Sequence, residues 1–162
     1  MRPASPSPGP TRADRMARLS IVAVGKIKER GIREAIDDYI GRVTRHFPVE
    51  EIEVRDAPPA ELAPVLEKKL PSPAHVVALD VEGKAMSSVA FARWLDARMT
   101  QGKGRVVFLI GGAEGLPPSM RSRADEKLSL SAMTLPHRLA RLFLAEQLYR
   151  AVTILRGEPY AR

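Results

Sequence analysis

The sequence contains no cysteine and only three histidines, His46, His75 and His137. Without cysteine the chain has no disulfide, no zinc thiolate site and no thiol nucleophile. The histidines are far apart and form no pair at the spacing that two metal ligands on one helix need. We therefore expect no metal site. The lack of cysteine also fits the cytoplasm, which is the location that we expect.

Long apolar runs are also lacking, and none approaches the ~20 residues that a transmembrane helix needs. Residues 1–18 are rich in Pro, Ser and Arg and lack the apolar stretch of a signal peptide. We predict a disordered tail at residues 1–18 and a single domain over residues 19–162. Met16 lies just before the first predicted strand, so translation from Met16 is an alternative.

The two glycine-rich fingerprints that cradle phosphates, GxGxxG and GxxxxGKS/T, do not occur. Their absence disfavours a nucleotide-dependent oxidoreductase. Acidic residues are the minority, with a net charge of +7 and an isoelectric point near 10.1. An excess of this size indicates a polyanionic partner. A basic protein that binds no nucleic acid is the alternative.

What the chain has is a regular alternation of short apolar runs and helical patterns. Strands are predicted at residues 19–24, 51–55, 75–80, 105–110 and 127–130, and helices at residues 29–45, 60–70, 87–99, 117–125 and 137–156. This order predicts an α/β fold with a mostly parallel sheet of five to six strands and helices on both faces. The last helix is predicted to bury Leu139, Leu142, Ala145, Leu148, Val152 and Leu155.

Residues 111–115, Gly-Gly-Ala-Glu-Gly, directly follow the strand predicted at residues 105–110. Glycine lets backbone amides approach a flat ligand without a Cβ between them. In a parallel sheet such a loop lies at the carboxyl edge, where α/β proteins bind small ligands. An ordinary turn is the alternative interpretation.

Polar side chains on the last predicted helix and after it have two interpretations each. His137 follows Pro136 at the start of that helix and is either a surface residue or a hydrogen-bond acceptor. Arg138, Arg141 and Arg150 form either a solvated face or a phosphate-binding one. Tyr160 either stacks on a base or packs the end of the chain against the core.

Five short segments together resemble one family. They are VAVGK at residues 22–26, ALDVEGK at 78–84, LIGGAEGL at 109–116, LSLSAMTLPH at 128–137 and LAEQLYRA at 144–151. The combination is similar to the bacterial ribosomal RNA large subunit methyltransferase H family of the SPOUT superfamily. The resemblance extends over about residues 18–162.

The resemblance implies methylation of N3 of a pseudouridine in large-subunit (23S) ribosomal RNA, on assembled ribosomes, with S-adenosylmethionine as the methyl donor. It also implies a homodimer and a C-terminal trefoil knot that forms the cofactor site. Carried over motif by motif, the cofactor contacts are expected at Leu79, Gly111, Gly112, Leu130, Ser131, Ala132, Met133, Thr134 and Leu135.

For catalysis we expect His137 to accept the N3 proton, with Arg141 and Tyr160 beside it. Arg138, Arg150 and Arg162 are expected to contact RNA. The family usually ends in Tyr-His followed by a basic residue, whereas here Ala161 stands between Tyr160 and Arg162. No role of that histidine is therefore carried over. Two alternatives follow: an RNA- or ribosome-binding protein without catalysis, and a SPOUT methyltransferase acting on another RNA such as tRNA.

Overall fold

The structure is a computed structural model that describes Pro3, residues 18–101 and residues 103–161. Apart from Pro3 and Arg18, the predicted tail with Met16 lies outside the described residues, as does Arg162.

Strands and helices alternate along the described chain. The strands are β1 (Leu19–Val24), β2 (Val49–Val54), β3 (His75–Ala85), β4 (Val106–Ile110) and β5 (Glu126–Ser129). The helices are α1 (Arg30–Thr44), α2 (Pro59–Lys69), α3 (Ser88–Thr100), α4 (Pro118–Arg123) and α5 (His137–Arg156), followed by a 3-10 turn at Pro159–Ala161.

The strands form one five-stranded sheet in the order β2-β1-β4-β3-β5, and every pairing between strands is parallel. The α/β fold is therefore confirmed, with all strands parallel. The alternation of residues 51–55 predicted an edge or near-edge strand, and β2 lies at an edge. The trefoil knot stays a prediction from the resemblance.

Helices cover both faces of the sheet because successive residues of a strand point to opposite faces. On one face Ile21 and Phe108 pack with α1, α3 and α5. On the other face Val22 and Leu109 pack with α2 and α4. Continuous apolar runs such as that of β4, which is buried throughout, are what a parallel strand covered on both faces needs.

Strand β3 is longer than predicted, because it continues beyond residue 80 to Ala85. Its pairing with β5 shifts register between Leu79 and Lys84. Gly83 lies in the shifted segment, and a Cβ there would be 2.6 Å from the backbone carbon of Lys127. Glycine is thus required for the close approach of the two strands.

Helix α5 begins directly after Pro136 and ends at Gly157, whose φ of +68° favours glycine. The predicted buried stripe was partly wrong, since Leu139 is 39% and Leu155 37% exposed. The buried side is displaced toward Arg141, a charged residue that the stripe did not include. Its other buried members are Leu144, Ala145, Leu148, Ala151, Val152 and Thr153.

Arg141 has a side chain only 1% exposed and links α5 to the ends of two strands. Its Nη2 lies 2.7 Å from Glu51 Oε2 and 2.8 Å from Glu53 Oε2, and its Nη1 donates to the Gly25 carbonyl at 3.1 Å. Arg33 of α1 pairs with the same two glutamates. The charges of α5 and α1 are thereby compensated by β2, which is what a buried guanidinium needs.

This pairing changes the titration of Glu53. Burial alone would raise the pKa of the Glu53 carboxyl, but the hydrogen bond and charge of Arg141, with the amide of Ile27, hold that pKa below its ordinary value. The ionised form is therefore favoured in the folded state. Stability from this group is present above the ordinary glutamate pKa and is lost as the pH falls through the lowered value.

Replacing Arg141 by Met should destabilise the fold by roughly 2–4 kcal/mol, because two partly buried carboxylates lose one of their two cations and keep only Arg33. The estimate is below that for a fully buried pair since Glu51 and Glu53 keep 15% and 32% side-chain exposure. Urea unfolding at neutral pH measures the difference.

Arg30→Met is the matched control, because Arg30 is 92% exposed and, among the described residues, forms its ion pair with Glu34 at the surface; its effect should stay within about 0.5 kcal/mol. The loss of stability on acidification should also be smaller in Arg141→Met than in the native chain. Equal stability of the two variants would contradict the structural role of Arg141.

Candidate active site

The carboxyl edge of the sheet carries a cavity of about 580 Å³, which we call the Gly111 cavity. It lies where the loops after β4 and β5 and residues 79–81 of β3 meet the first turn of α5. This volume is in the range of small-molecule and cofactor sites. Its walls are mainly apolar, with Leu79, Ile110, Leu116, Leu128, Leu130 and Leu135 among the lining residues.

The loop after β4 owes its shape to glycine. A Cβ at Gly111 would lie 2.5 Å from the Leu116 amide nitrogen, closer than real Cβ contacts. The Gly115 amide donates to the Gly112 carbonyl at 3.0 Å, and Gly115 has a φ of +78°. The chain therefore folds back tightly and leaves backbone groups, not side chains, beside the cavity.

The loop after β5, residues 130–136, forms the opposite wall. Ser129 Oγ donates to the Ser131 carbonyl at 3.0 Å, and Ser131 Oγ accepts from the Met133 amide at 3.0 Å. These two serine contacts hold a loop that has no regular hydrogen bonding of its own. Met133 is 79% exposed on it.

Eight of the nine residues predicted to bind the cofactor line the Gly111 cavity. They are Leu79, Gly111, Gly112, Leu130, Ser131, Met133, Thr134 and Leu135. Ala132 is exposed and does not line it. The structure brings these residues together, and their contact with a cofactor stays a prediction.

Asp80 was missed by the sequence interpretation, although it directly follows Leu79 in the motif at residues 78–84. It is the one acidic side chain among the described residues that line the cavity. Burial raises the pKa of the Asp80 carboxyl, but the Glu82 amide and the Arg121 guanidinium together hold that pKa below its ordinary value. Arg121 Nη2 lies 2.6 Å from Asp80 Oδ2. The cavity thus contains a carboxylate that is ionised at neutral pH and paired with Arg121.

His137, the first residue of α5, lies between two concave surfaces. It lines the Gly111 cavity and also a second cleft of about 720 Å³ over β1 and β2, which we call the Lys26 cleft. A Cβ at Gly25 would lie 4.0 Å from His137 Nε2. Arg138 lines the Gly111 cavity and pairs with Glu29 at 3.4 Å.

Arg141, predicted to act in catalysis, does not line either surface. Its guanidinium is buried among Glu51, Glu53 and the Gly25 carbonyl. The chain position one turn after His137 suggested proximity to a ligand, but that side of the helix faces the sheet. The structure therefore places Arg141 behind the site, where it holds α5.

Tyr160 and Arg150 lie at the other end of α5. The Tyr160 hydroxyl donates to Glu146 Oε1 at 3.1 Å, and its ring centroid is 4.6 Å from that of Tyr149. Burial, with hydrogen bonds to Tyr39 and Glu146, raises the pKa of the Tyr160 phenol above its ordinary value. Glu146 is about 14 Å along the helix from His137. Within one chain the structure does not bring Tyr160 to the Gly111 cavity.

No group of three His, Asp or Glu side chains that could hold a metal ion occurs in the described part of the chain. No helix of the described residues is long and apolar enough to cross a membrane.

A family model described as "Predicted SPOUT methyltransferase" matches residues 17–161. The ribosomal RNA large subunit methyltransferase H of Sorangium cellulosum (strain So ce56) is 52% identical over 144 residues, which cover 89% of this chain and 99% of that protein. The protein of the same name from Gemmatimonas aurantiaca is 44% identical over 152 residues, covering 88% and 98%.

Among solved structures, a probable methylase family protein from Haemophilus influenzae Rd KW20 superposes with a TM-score of 0.54. The match covers 90% of this chain and 71% of that one, at 11% identity. At this identity the similarity concerns the fold alone.

Changing Gly111 to Ala should weaken binding of S-adenosylmethionine, the cofactor that the resemblance implies, at least about fivefold, because the added Cβ displaces the loop wall. Isothermal titration calorimetry measures this. Gly41→Ala is the control, since a Cβ there meets no atom within 4 Å and alanine favours a helix. Wild-type affinity in Gly111→Ala would show that the loop does not form the binding wall.

Proposed function

This chain belongs to the ribosomal RNA large subunit methyltransferase H family, and we propose that it methylates N3 of a pseudouridine in 23S ribosomal RNA with S-adenosylmethionine. The observation that carries the proposal is the Gly111 cavity. Its walls come from three of the segments that resemble the family, at residues 78–84, 109–116 and 128–137. A ribosomal substrate places the reaction in the cytoplasm.

The cavity fits the proposed cofactor in size and chemistry. Its volume of about 580 Å³ suits a nucleoside-sized ligand. Leu79, Leu116 and Leu130 offer apolar surfaces for adenine, and the glycine loop offers backbone groups for its edge. Asp80, held by Arg121, adds a polar group to the wall. When bound, S-adenosylmethionine would supply an electrophilic methyl group on a sulfonium sulfur, and the residues around the cavity would hold that group in line with N3 of the base.

The chain's contribution to the reaction is positioning and removal of a proton. N3 of the base loses its proton as the N–CH₃ bond forms, so an acceptor beside the base is needed. His137 is shared by the Gly111 cavity and the Lys26 cleft, so a base held between them contacts its imidazole. We assign the acceptor role to His137. Tyr160 does not take that role within its own chain, because its hydroxyl donates to Glu146 and it does not line the Gly111 cavity.

Methyl transfer should be measured with labelled S-adenosylmethionine on assembled ribosomes that lack the modification, with free 23S RNA and tRNA alongside. We expect label in the 23S RNA of the ribosomes. His137→Gln should lower kcat about 100-fold or more at saturating ribosome, the usual range for a general base.

His46→Gln is the matched control, since His46 lies after α1 and lines neither the Gly111 cavity nor the Lys26 cleft. Near-normal turnover of His137→Gln would contradict the role of His137 as proton acceptor but not the proposed methylation. Label in tRNA would indicate another RNA substrate. Cofactor binding without any transfer would favour an RNA-binding protein without catalysis.

We also propose that the chain acts as a homodimer. Tyr160 and Arg150 lie far from the Gly111 cavity of their own chain, so their predicted contact with RNA near the reacting base requires a second copy. Leu139 and Phe143 support the dimer, because both are 39% exposed and lie one turn apart on α5. Val89 on α3, a helix that packs against α5, is also an exposed apolar residue at 47%.

The double change Leu139→Glu and Phe143→Glu should shift the mass in light scattering after gel filtration from dimer to monomer, because charges at a self-complementary apolar contact repel each other. Val65→Glu on α2 is the control, since Val65 is 43% exposed outside that surface. A monomeric native chain would contradict the dimer. A double variant that stays dimeric would contradict the surface.

A further inference from the structure

The Lys26 cleft lies beside the Gly111 cavity and shares only His137 with it among the described residues. The loops after β1 and β2 form it, with Gly25, Lys26, Lys28 and Glu29 on one side and Glu53, Val54, Arg55 and Asp56 on the other. Its volume of about 720 Å³ gives room for an extended chain. It meets the Gly111 cavity at His137.

The cations and carboxylates of this cleft differ in their pairing. Lys26, Lys28 and Arg55 are exposed, and none of them forms an ion pair with a described residue. The glutamates are engaged: Glu29 pairs with Arg138 at 3.4 Å and Glu53 with Arg141 at 2.8 Å. Asp56 also lines the cleft and forms no ion pair with a described residue, so it offsets one of the three positive charges and the cleft keeps a net positive potential.

Strand order brings this potential next to the cofactor cavity. In the sheet, β1 lies between β2 and β4, and the chain continues from β1 to β2, away from β4. The strand order therefore changes direction between β1 and β4. Ligands of open parallel sheets bind at such a switch point. A Cβ at Gly112 would lie 3.2 Å from Val24 Cγ1 and 3.6 Å from Asp56 Oδ2, so the loops of the two sites are in contact.

We infer that the Lys26 cleft binds the phosphodiester backbone of the ribosomal RNA beside the target nucleotide, through Lys26, Lys28 and Arg55. Lysine ammonium groups are compact point charges that bind phosphate oxygens. Phosphate contacts position a nucleic acid without reading its sequence, so the cleft would present the target base to His137. The inference rests on the proposed function.

The test is Lys26→Gln with Lys28→Gln, compared with Lys68→Gln and Lys69→Gln. The second pair lies at the end of α2, is equally exposed, and changes the net charge by the same amount. In the cleft variant the KM for assembled ribosomes should rise about tenfold or more, since hydrogen bonds to charged groups are lost. Its kcat should stay within about twofold, because the lysines position the backbone and do not contact the reacting atoms.

Salt dependence supplies a readout that a purely structural role would not move. The slope of log KM against log salt should become shallower by about 1.5 for two lost phosphate contacts. S-adenosylmethionine binding should be unchanged in both pairs, which also verifies folding. Lys26→Arg with Lys28→Arg should restore the KM, because the charges return.

The outcomes separate the two proposals. If the native chain transfers methyl groups but the two glutamine pairs have equal KM and equal salt slope, the cleft assignment is overturned. The proposed methyltransferase function would then still stand. A loss of S-adenosylmethionine binding in the cleft variant would also overturn it, since the lysines would then serve the cofactor site. Failure of the native chain to methylate any ribosome would overturn the proposed function and the cleft assignment with it.

Discussion

The buried guanidinium of Arg141 is the contact on which the site depends. It joins the second turn of α5 to Glu51 and Glu53 on β2 and to the carbonyl of Gly25 after β1. A charge that is 1% exposed is tolerated only where its partners are correctly placed, so the position of α5 over the sheet is narrowly defined. His137 begins that helix, and it stands where the two concave surfaces meet as a consequence.

The carboxyl edge of the sheet is divided by charge. Over β4, β3 and β5 the walls are mainly apolar, and their charged residues Asp80 and Arg138 are paired with Arg121 and Glu29, which suits a small flat ligand. Over β1 and β2 the walls carry Lys26, Lys28 and Arg55, which suits a polyanion. A methyl donor and an RNA chain differ in these same properties, so one sheet edge can keep each ligand on its own side.

Local patterns predicted the elements well and their long-range pairing poorly. The apolar runs correctly predicted all five strands, and Pro136 and Gly157 correctly predicted the ends of α5. The stripe of α5 was only partly correct, because Arg141 was interpreted as solvated, phosphate-binding or catalytic, whereas two glutamates of another element neutralise it in the interior. The end of β3 was missed because its last residues, polar and partly exposed, are held by pairing with β5 rather than by burial.

By itself the sequence determined the α/β class, the loops around Gly111 and Leu130, and the family, because each rests on residues close together in the chain. Tertiary structure alone decided which distant segments meet. It removed Arg141 from the catalytic candidates, added Asp80, and put Lys26 beside His137 across more than 100 residues of chain. The physical reason is that ion-pair partners and neighbouring loops follow from strand order and register. The hydrophobic periodicity within one segment does not predict either of these.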